Sequence, residues 1–245
     1  MINRWNLLVN IWWKKTSYGW LKWVFHNSEL WLISLSSDWE DIITIADKNL
    51  WATQVYHPGD DITLVNSWYF YQWWNNYGFN HSWPIETSDE QIDASGYGPG
   101  NYYSSEVFRT INDARDSSHN ANLWWEETGT DEARRWPCPE WYHIPSYDEM
   151  YNLIITAVDI WVEYTSDLRD YLFTPLWWRL DVDWTLHAVL SQWFFHTSTL
   201  YQDNAGRQLD LRDISLWHYL TTYGDSIRPF KNEPVVPDNT REKLL

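Results

Sequence analysis

Cys138 stands between Pro137 and Pro139 with His143 five residues on, so a thiol and an imidazole lie close together in the sequence. Such a pair does nucleophilic chemistry when the imidazole takes the thiol proton. Cys138 is the single cysteine, which excludes thiol-pair chemistry and a cysteine-rich zinc site. It reads as a small buried hydrophobe, and His143 as a hydrogen-bonded core residue leading into a helix. The eight histidines are scattered, with no His-x-x-x-His and no Cys-x-x-Cys, so no zinc site is spelled out. His187 and His196 would meet across a hairpin, a pairing that does not by itself make a metal site. Asp181 and Asp183, two apart on a strand, share a face as a glycosidase pair would, and read as surface charge. Gly59-Asp60-Asp61 and Asp203-Asn204 offer oxygens to calcium, and read as solvated loops. The expectation is therefore no catalytic residue, no metal and no cofactor, with calcium as the one alternative.

These residues must be positioned by a mixture of helix and strand. Ser146 and Glu149 form a capping box ahead of Met150, Leu153, Ile154, Ala157 and Val158 at helical spacing, which predicts a helix from Tyr147 to about Asp159. A second short helix is expected from Ser166 to Leu172, stopped by Pro175. The β-branched run Ile42 to Ile45 reads as a buried strand. Strand-sized pieces also fall at Asn6 to Ile11, Leu30 to Leu35, Thr185 to Leu190, Trp193 to Thr197, Gln208 to Leu211, His218 to Thr222 and Ser226 to Phe230. Tyr69 to Trp74 is an aromatic segment. Asn80 to Asp131, rich in Ser, Asn, Asp and Gly, is too long for an ordinary connection and should be structured or functional. The fold class is α+β. Residues 1–39 form a β-rich extension, 40–231 the main domain and 232–245 a linker or disordered tail.

Seventeen basic against thirty-four acidic residues leave a net charge of −17 on 245 residues. That charge repels phosphate backbones and anionic lipid, so nucleic acid is excluded as a partner. No apolar run reaches the ~18 residues of a membrane-spanning helix, and the first residues lack the apolar core of a signal peptide.

Glycine and tryptophan are out of balance. An average usage of ~7% would give about 17 glycines, yet there are 9, beside 22 tryptophans. Asp38-Trp39 and Asp183-Trp184 stand between strand-like segments, where Asp-Gly is the usual hairpin turn. Four Trp-Trp pairs add to the anomaly: 12-13, 73-74, 124-125 and 177-178.

Seven segments resemble, in order along the chain, the Fibrobacter succinogenes major paralogous domain, a bacterial surface-protein family related to the C-type-lectin-like fold. Pro137-Cys138-Pro139-Glu140-Trp141-Tyr142-His143-Ile144-Pro145-Ser146 is similar to its Pro-Cys-Pro-x-Gly-Tyr/Trp-His-Val-Pro-Ser/Thr run. Asn49-Leu50-Trp51-Ala52-Thr53 resembles its Asn-Leu-Gly-Ala-Thr, and Tyr71-Gln72-Trp73-Trp74-Asn75-Asn76-Tyr77-Gly78-Phe79 its Tyr-Gln-Trp-Gly-Asn-Asn-Tyr-Gly-Phe. Gly98-Pro99-Gly100-Asn101-Tyr102-Tyr103-Ser104, Asn122-Leu123-Trp124-Trp125, Leu176-Trp177-Trp178-Arg179 and Ser226-Ile227-Arg228-Pro229-Phe230-Lys231-Asn232 continue the likeness. The matching positions include Pro145, Arg228 and Phe230. Pro229 and Ser67 stand where the family often carries cysteine, so the resemblance offers Cys138 no disulfide partner.

Tryptophan repeatedly occupies the family's glycine positions. This implies a source organism that reads UGA as glycine, with UGA at 51, 74, 125, 136, 141, 178 and 184, and UGG at 73 and 124. The resemblance also implies a C-type-lectin-like mixed domain with long structured loops, displayed outside the cell, that binds a protein or glycan and catalyses nothing. It places the ligand face in the C-terminal half, where His196, Tyr201, Asp203, Asn204, His218, Tyr219 and Tyr223 combine apolar area with hydrogen-bonding groups. The alternatives are a carbohydrate-active enzyme or Trp-rich carbohydrate-binding module, and a structural unit of a larger adhesin.

Overall fold

A computed structural model describes residues 13–15, 20–24, 32–36, 43–46, 48–54, 69–73, 75–80, 85–93, 96–97, 101–111, 134, 137–161, 177–181, 186–192, 194–202, 205–210 and 215–232. Within them the chain is α+β, with one α-helix and several small sheets.

One sheet is formed by β1 (Trp13–Lys15), β2 (Trp20–Val24), β3 (Leu32–Ser36), β4 (Ile43–Ala46), β8 (Tyr142–His143) and β15 (Phe230–Lys231), in the order β1-β2-β3-β4-β15-β8. Strand β3 runs antiparallel to β4 with Ile33 opposite Ile45. Phe230 lies between Ile45 on one side and His143 on the other. A second sheet has the order β10-β9-β14-β5: β10 is Leu186–Gln192, β9 Trp177–Leu180, β14 Gly224–Asp225 and β5 Tyr71–Gln72. Leu186 pairs antiparallel with Leu180; the turn expected at Asp183-Trp184 lies outside the described residues. The third sheet, β11 (Phe194–Gln202), β12 (Ala205–Asp210) and β13 (Ser215–Leu220), is an antiparallel meander. Between Asn80 and Asp131 the described strands are β6 (Thr87–Ser88) and β7 (Phe108–Arg109), a short parallel pair.

The helix α1 spans Tyr147–Trp161, starting where expected and ending two residues later. Its capping box is formed: the Glu149 amide donates to Ser146 Oγ at 3.2 Å, and the Ser146 amide donates to the Glu149 carboxylate at 2.6 Å. Met150, Leu153 and Ile154 are buried, while Tyr151 and Ile155 face solvent.

Strand bounds differ from expectation in several places: β11 runs on to Gln202, and β12 and β13 each begin three residues earlier than expected, at Ala205 and Ser215. Within the aromatic segment Tyr69 to Trp74, Tyr71–Gln72 forms β5, and the Asn75 amide donates to the Gln72 carbonyl at 2.9 Å. Ser226 to Phe230 is a strand only at its end. Pro229 has no amide to donate, and this stretch runs beside residues 46–50 through isolated bonds, Ala46 N to Pro229 O and Leu50 N to Ile227 O, both 2.9 Å. The expected strand at Asn6 to Ile11 and the helix at Ser166 to Leu172 lie outside the described residues.

The aromatic motif of residues 71–79 builds the centre. Trp73 is fully buried and its indole N–H donates to the Thr197 carbonyl at 3.2 Å. Gln72 is satisfied at both ends: Nε2 donates to the carbonyls of Arg109 and Thr222 at 2.7 and 2.6 Å, and Oε1 accepts from the Arg109 amide at 2.9 Å. Asn75 Oδ1 accepts the amides of Tyr77 and Ser105, each at 3.0 Å. Gly78 is a steric necessity, since a Cβ there would lie 2.8 Å from Tyr69 Cβ. Gly206 on β12 likewise lies against the Trp73 ring, with a Cβ only 2.6 Å from Cδ1. Asn49 and Leu50 are buried beside this core, and Arg228 donates to the Ala46 carbonyl at 3.0 Å.

Candidate ligand-binding face

Cys138 and His143 do not form a catalytic pair. Burial pushes the Cys138 thiol well above the ordinary thiol range, so the thiolate nucleophile is suppressed. His143 is buried and spends both ring nitrogens on structure, Nδ1 with Asn232 Oδ1 and Nε2 with Glu149 Oε1, each at 2.9 Å. Glu149 is the hub of this corner, bound also by the Arg134 guanidinium. Burial would raise the Glu149 carboxyl, but the hydrogen bonds and charges of His143 and Arg134 outweigh it and hold the group well below the usual carboxylate range. The corner fixes the start of α1. Among the described residues no group of three or more His, Cys, Asp or Glu is placed to hold a metal ion, and no helix is long and apolar enough to cross a membrane.

Strand β12 separates two very different environments, because neighbouring residues on a strand point to opposite faces. Gln208 points inward. Its Oε1 accepts from Arg179, whose Nε also donates to Asp225 Oδ1 at 3.0 Å. The Arg179 guanidinium lies over Phe194 at 3.7 Å, Tyr219 at 3.8 Å and Tyr223 at 4.7 Å. His196 belongs to the same network: Nε2 donates to the Tyr71 carbonyl at 2.7 Å, and Nδ1 accepts from Gln208 Nε2 at 3.3 Å.

Arg207, one residue away, points to the other face. Its guanidinium lies 4.3 Å from the centre of the Tyr147 ring and 4.9 Å from that of Tyr201. Tyr201 stacks on His218 at 4.0 Å and 21°, and Tyr147 stacks on Tyr151 at 6.1 Å and 6°. The result is a row, Tyr151, Tyr147, Arg207, Tyr201, His218, that crosses from the first turns of α1 to the edge of the β11-β12-β13 meander. Three local features set it. Tyr147 and Tyr151 are four apart, so they share a helix face. Arg207 and His218 are directly opposed across β12 and β13, and their side chains leave the same face. The Tyr147 amide donates to Thr199 Oγ1 at 2.9 Å, which ties the helix start to β11.

The row is open to solvent. Tyr151 is 46% and Tyr201 40% exposed, and His218 is exposed while Arg207 is half-buried. It carries three phenol hydroxyls, an imidazole and a cation on flat apolar rings, a combination suited to contact and hydrogen bonding rather than bond making.

Of the residues expected to bind ligand, the structure brings Tyr201 and His218 into direct contact. His196 is fully buried, and Tyr219 and Tyr223 pack over Arg179. Asp203 and Asn204 lie outside the described residues, as do Gly98 and Gly100 of the glycine-rich loop; Tyr102 is half-buried. Sequence reasoning missed Tyr147, Tyr151 and Arg207. The i, i+4 tyrosines at the helix start were a usable signal, but Arg207 becomes visible only through the register of β12 with β13. No family model, no curated protein and no solved structure matches the chain.

Proposed function

We propose that the chain is a non-catalytic binding module displayed outside the bacterial cell, and that the row Tyr151, Tyr147, Arg207, Tyr201, His218 is its ligand face. The observation that carries this reading is the continuous row of exposed and half-buried rings around one guanidinium, held at both ends by regular structure. Exposed aromatic rings carrying polar tips are what a binding face uses, because they give contact area at low entropic cost. The ligand class is a protein or a glycan with a flat apolar face and hydrogen-bonding groups. The ordered run of segments resembling the major paralogous domain supports both the surface location and a C-type-lectin-like arrangement of residues 40–231. The suppressed Cys138 thiol and the structural use of both His143 nitrogens support the absence of catalysis.

Glycan and peptide arrays probed with the labelled protein test the proposal. The expected result is at least one retained ligand whose binding is lost when Tyr201→Ala and His218→Ala are combined, with far-UV circular dichroism unchanged. Equal binding by the parent and the double variant would remove the face from the mechanism. Turnover of a bound glycan would replace the module reading with an enzyme.

A further inference from the structure

Two tight turns of this chain are built alike. Asn49–Ala52 is closed by the Ala52 amide donating to the Asn49 carbonyl at 3.0 Å, and Pro139–Tyr142 by the Tyr142 amide donating to the Pro139 carbonyl at 3.1 Å. The third residue is Trp51 in one, with φ of 62°, and Trp141 in the other, with φ of 69°. Among the described residues these two are the only non-glycine positions in the left-handed region.

A four-residue turn whose third residue has positive φ selects glycine, with asparagine next, because any Cβ there crowds the following carbonyl. Strain of this kind persists when the side chain gains something in return. Here the rings return little by burial, being 56% exposed at Trp51 and 66% at Trp141. A turn of this span does not itself demand the conformation. Leu220–Tyr223 is closed by the same kind of bond at 3.1 Å with Thr222 in third place, and Thr222 is not left-handed. Trp73 is the opposite case, wholly buried and with its indole N–H bonded.

We infer that the polypeptide made by the source organism carries glycine at positions 51 and 141, and tryptophan at 73. Such an organism reads UGA as glycine and UGG as tryptophan, which also accounts for 22 tryptophans beside 9 glycines. The inference is independent of the ligand face, which contains none of these positions.

Peptide mass spectrometry on protein isolated from the source organism decides it, with peptides covering 49–54, 71–79 and 137–146. The expected masses place glycine at 51 and 141 and tryptophan at 73, with UGA at the first two codons and UGG at the last. Tryptophan at 51 or 141 in the native peptide overturns the inference, and then marks those indoles as exposed contact residues. A second measurement uses recombinant chain: Trp51→Gly and Trp141→Gly should each raise the thermal midpoint by about 2–4 °C. A midpoint that stays or falls in either variant overturns the structural argument.

Discussion

Arg179 and Arg207 perform the same physical act on two faces of one small sheet, and they differ in everything around it. Each guanidinium lies over aromatic rings, Arg179 over Phe194, Tyr219 and Tyr223, Arg207 over Tyr147 and Tyr201. Arg179 is buried and its donors meet Asp225 and Gln208; Arg207 is half-buried and its rings open to solvent. A cation over a ring contributes about 0.5–1 kcal/mol when exposed and about 2 or more when desolvated. The buried copy is therefore structural, a charge that must stay paired. The surface copy stabilises little and leaves its aromatic edges open, as the proposed ligand face requires.

Removing Arg179 gives the largest effect. Arg179→Met leaves the Asp225 carboxylate, which is fully buried, without its partner, and breaking a buried pair in this way costs about 3–5 kcal/mol. Urea denaturation should show that loss or no cooperative transition at all. A loss below about 1 kcal/mol would erase the distinction between the two arginines.

Acid probes the same network with a smaller effect. The hydrogen bonds run in one direction: Arg179 donates to Gln208, Gln208 to His196 Nδ1, and His196 Nε2 to the Tyr71 carbonyl. A proton added at Nδ1 would face the Gln208 amide donor. Burial lowers the His196 pKa from its ordinary value, and the Asp225 carboxylate 4.0 Å away only partly opposes this. The folded pKa lies below the unfolded one, so the unfolded chain binds the proton first. The network's contribution is complete above about pH 6.5 and declines as pH falls toward the folded value. Stability followed from pH 8 to 5 should fall on the acid side, with the His196 ring signals in NMR remaining those of a neutral imidazole. Protonation of His196 in the folded protein near pH 6.5 would show that the network tolerates the charge.

Some of this was legible before any fold was known. The capping box at Ser146 and Glu149 is local chemistry, so it placed the helix start at the residue, and β-branched Ile43 to Ile45 fixed β4. The meander was legible in number and rough position. What sequence could not show is the long-range register. Gly206 lies against Trp73 although 133 positions separate them in the numbering, and Gln72 reaches Thr222 over 150 residues. His196 looked like a contact residue because a histidine on a strand carries no mark of its face; register puts it inward beside Gln208. Tyr201 and His218 differ from it in the same physical respect and face outward.

Arg207→Ala is the smallest perturbation and the sharpest test of the contrast. Its expected cost in stability is under about 1 kcal/mol, the range of an exposed cation over a ring, and urea denaturation reads it. The ligand retained on the arrays should nevertheless be lost, because Tyr147 and Tyr201 are held at their spacing by the guanidinium between them. Arg207→Lys refines the reading. An ammonium keeps the charge but not the plane that fits between two rings, so binding lost in both variants identifies stacking as the property used, and binding kept in the lysine variant identifies charge. If Arg207→Ala instead unfolds the protein as Arg179→Met does, the surface row is a second structural cluster and the ligand face must be sought elsewhere.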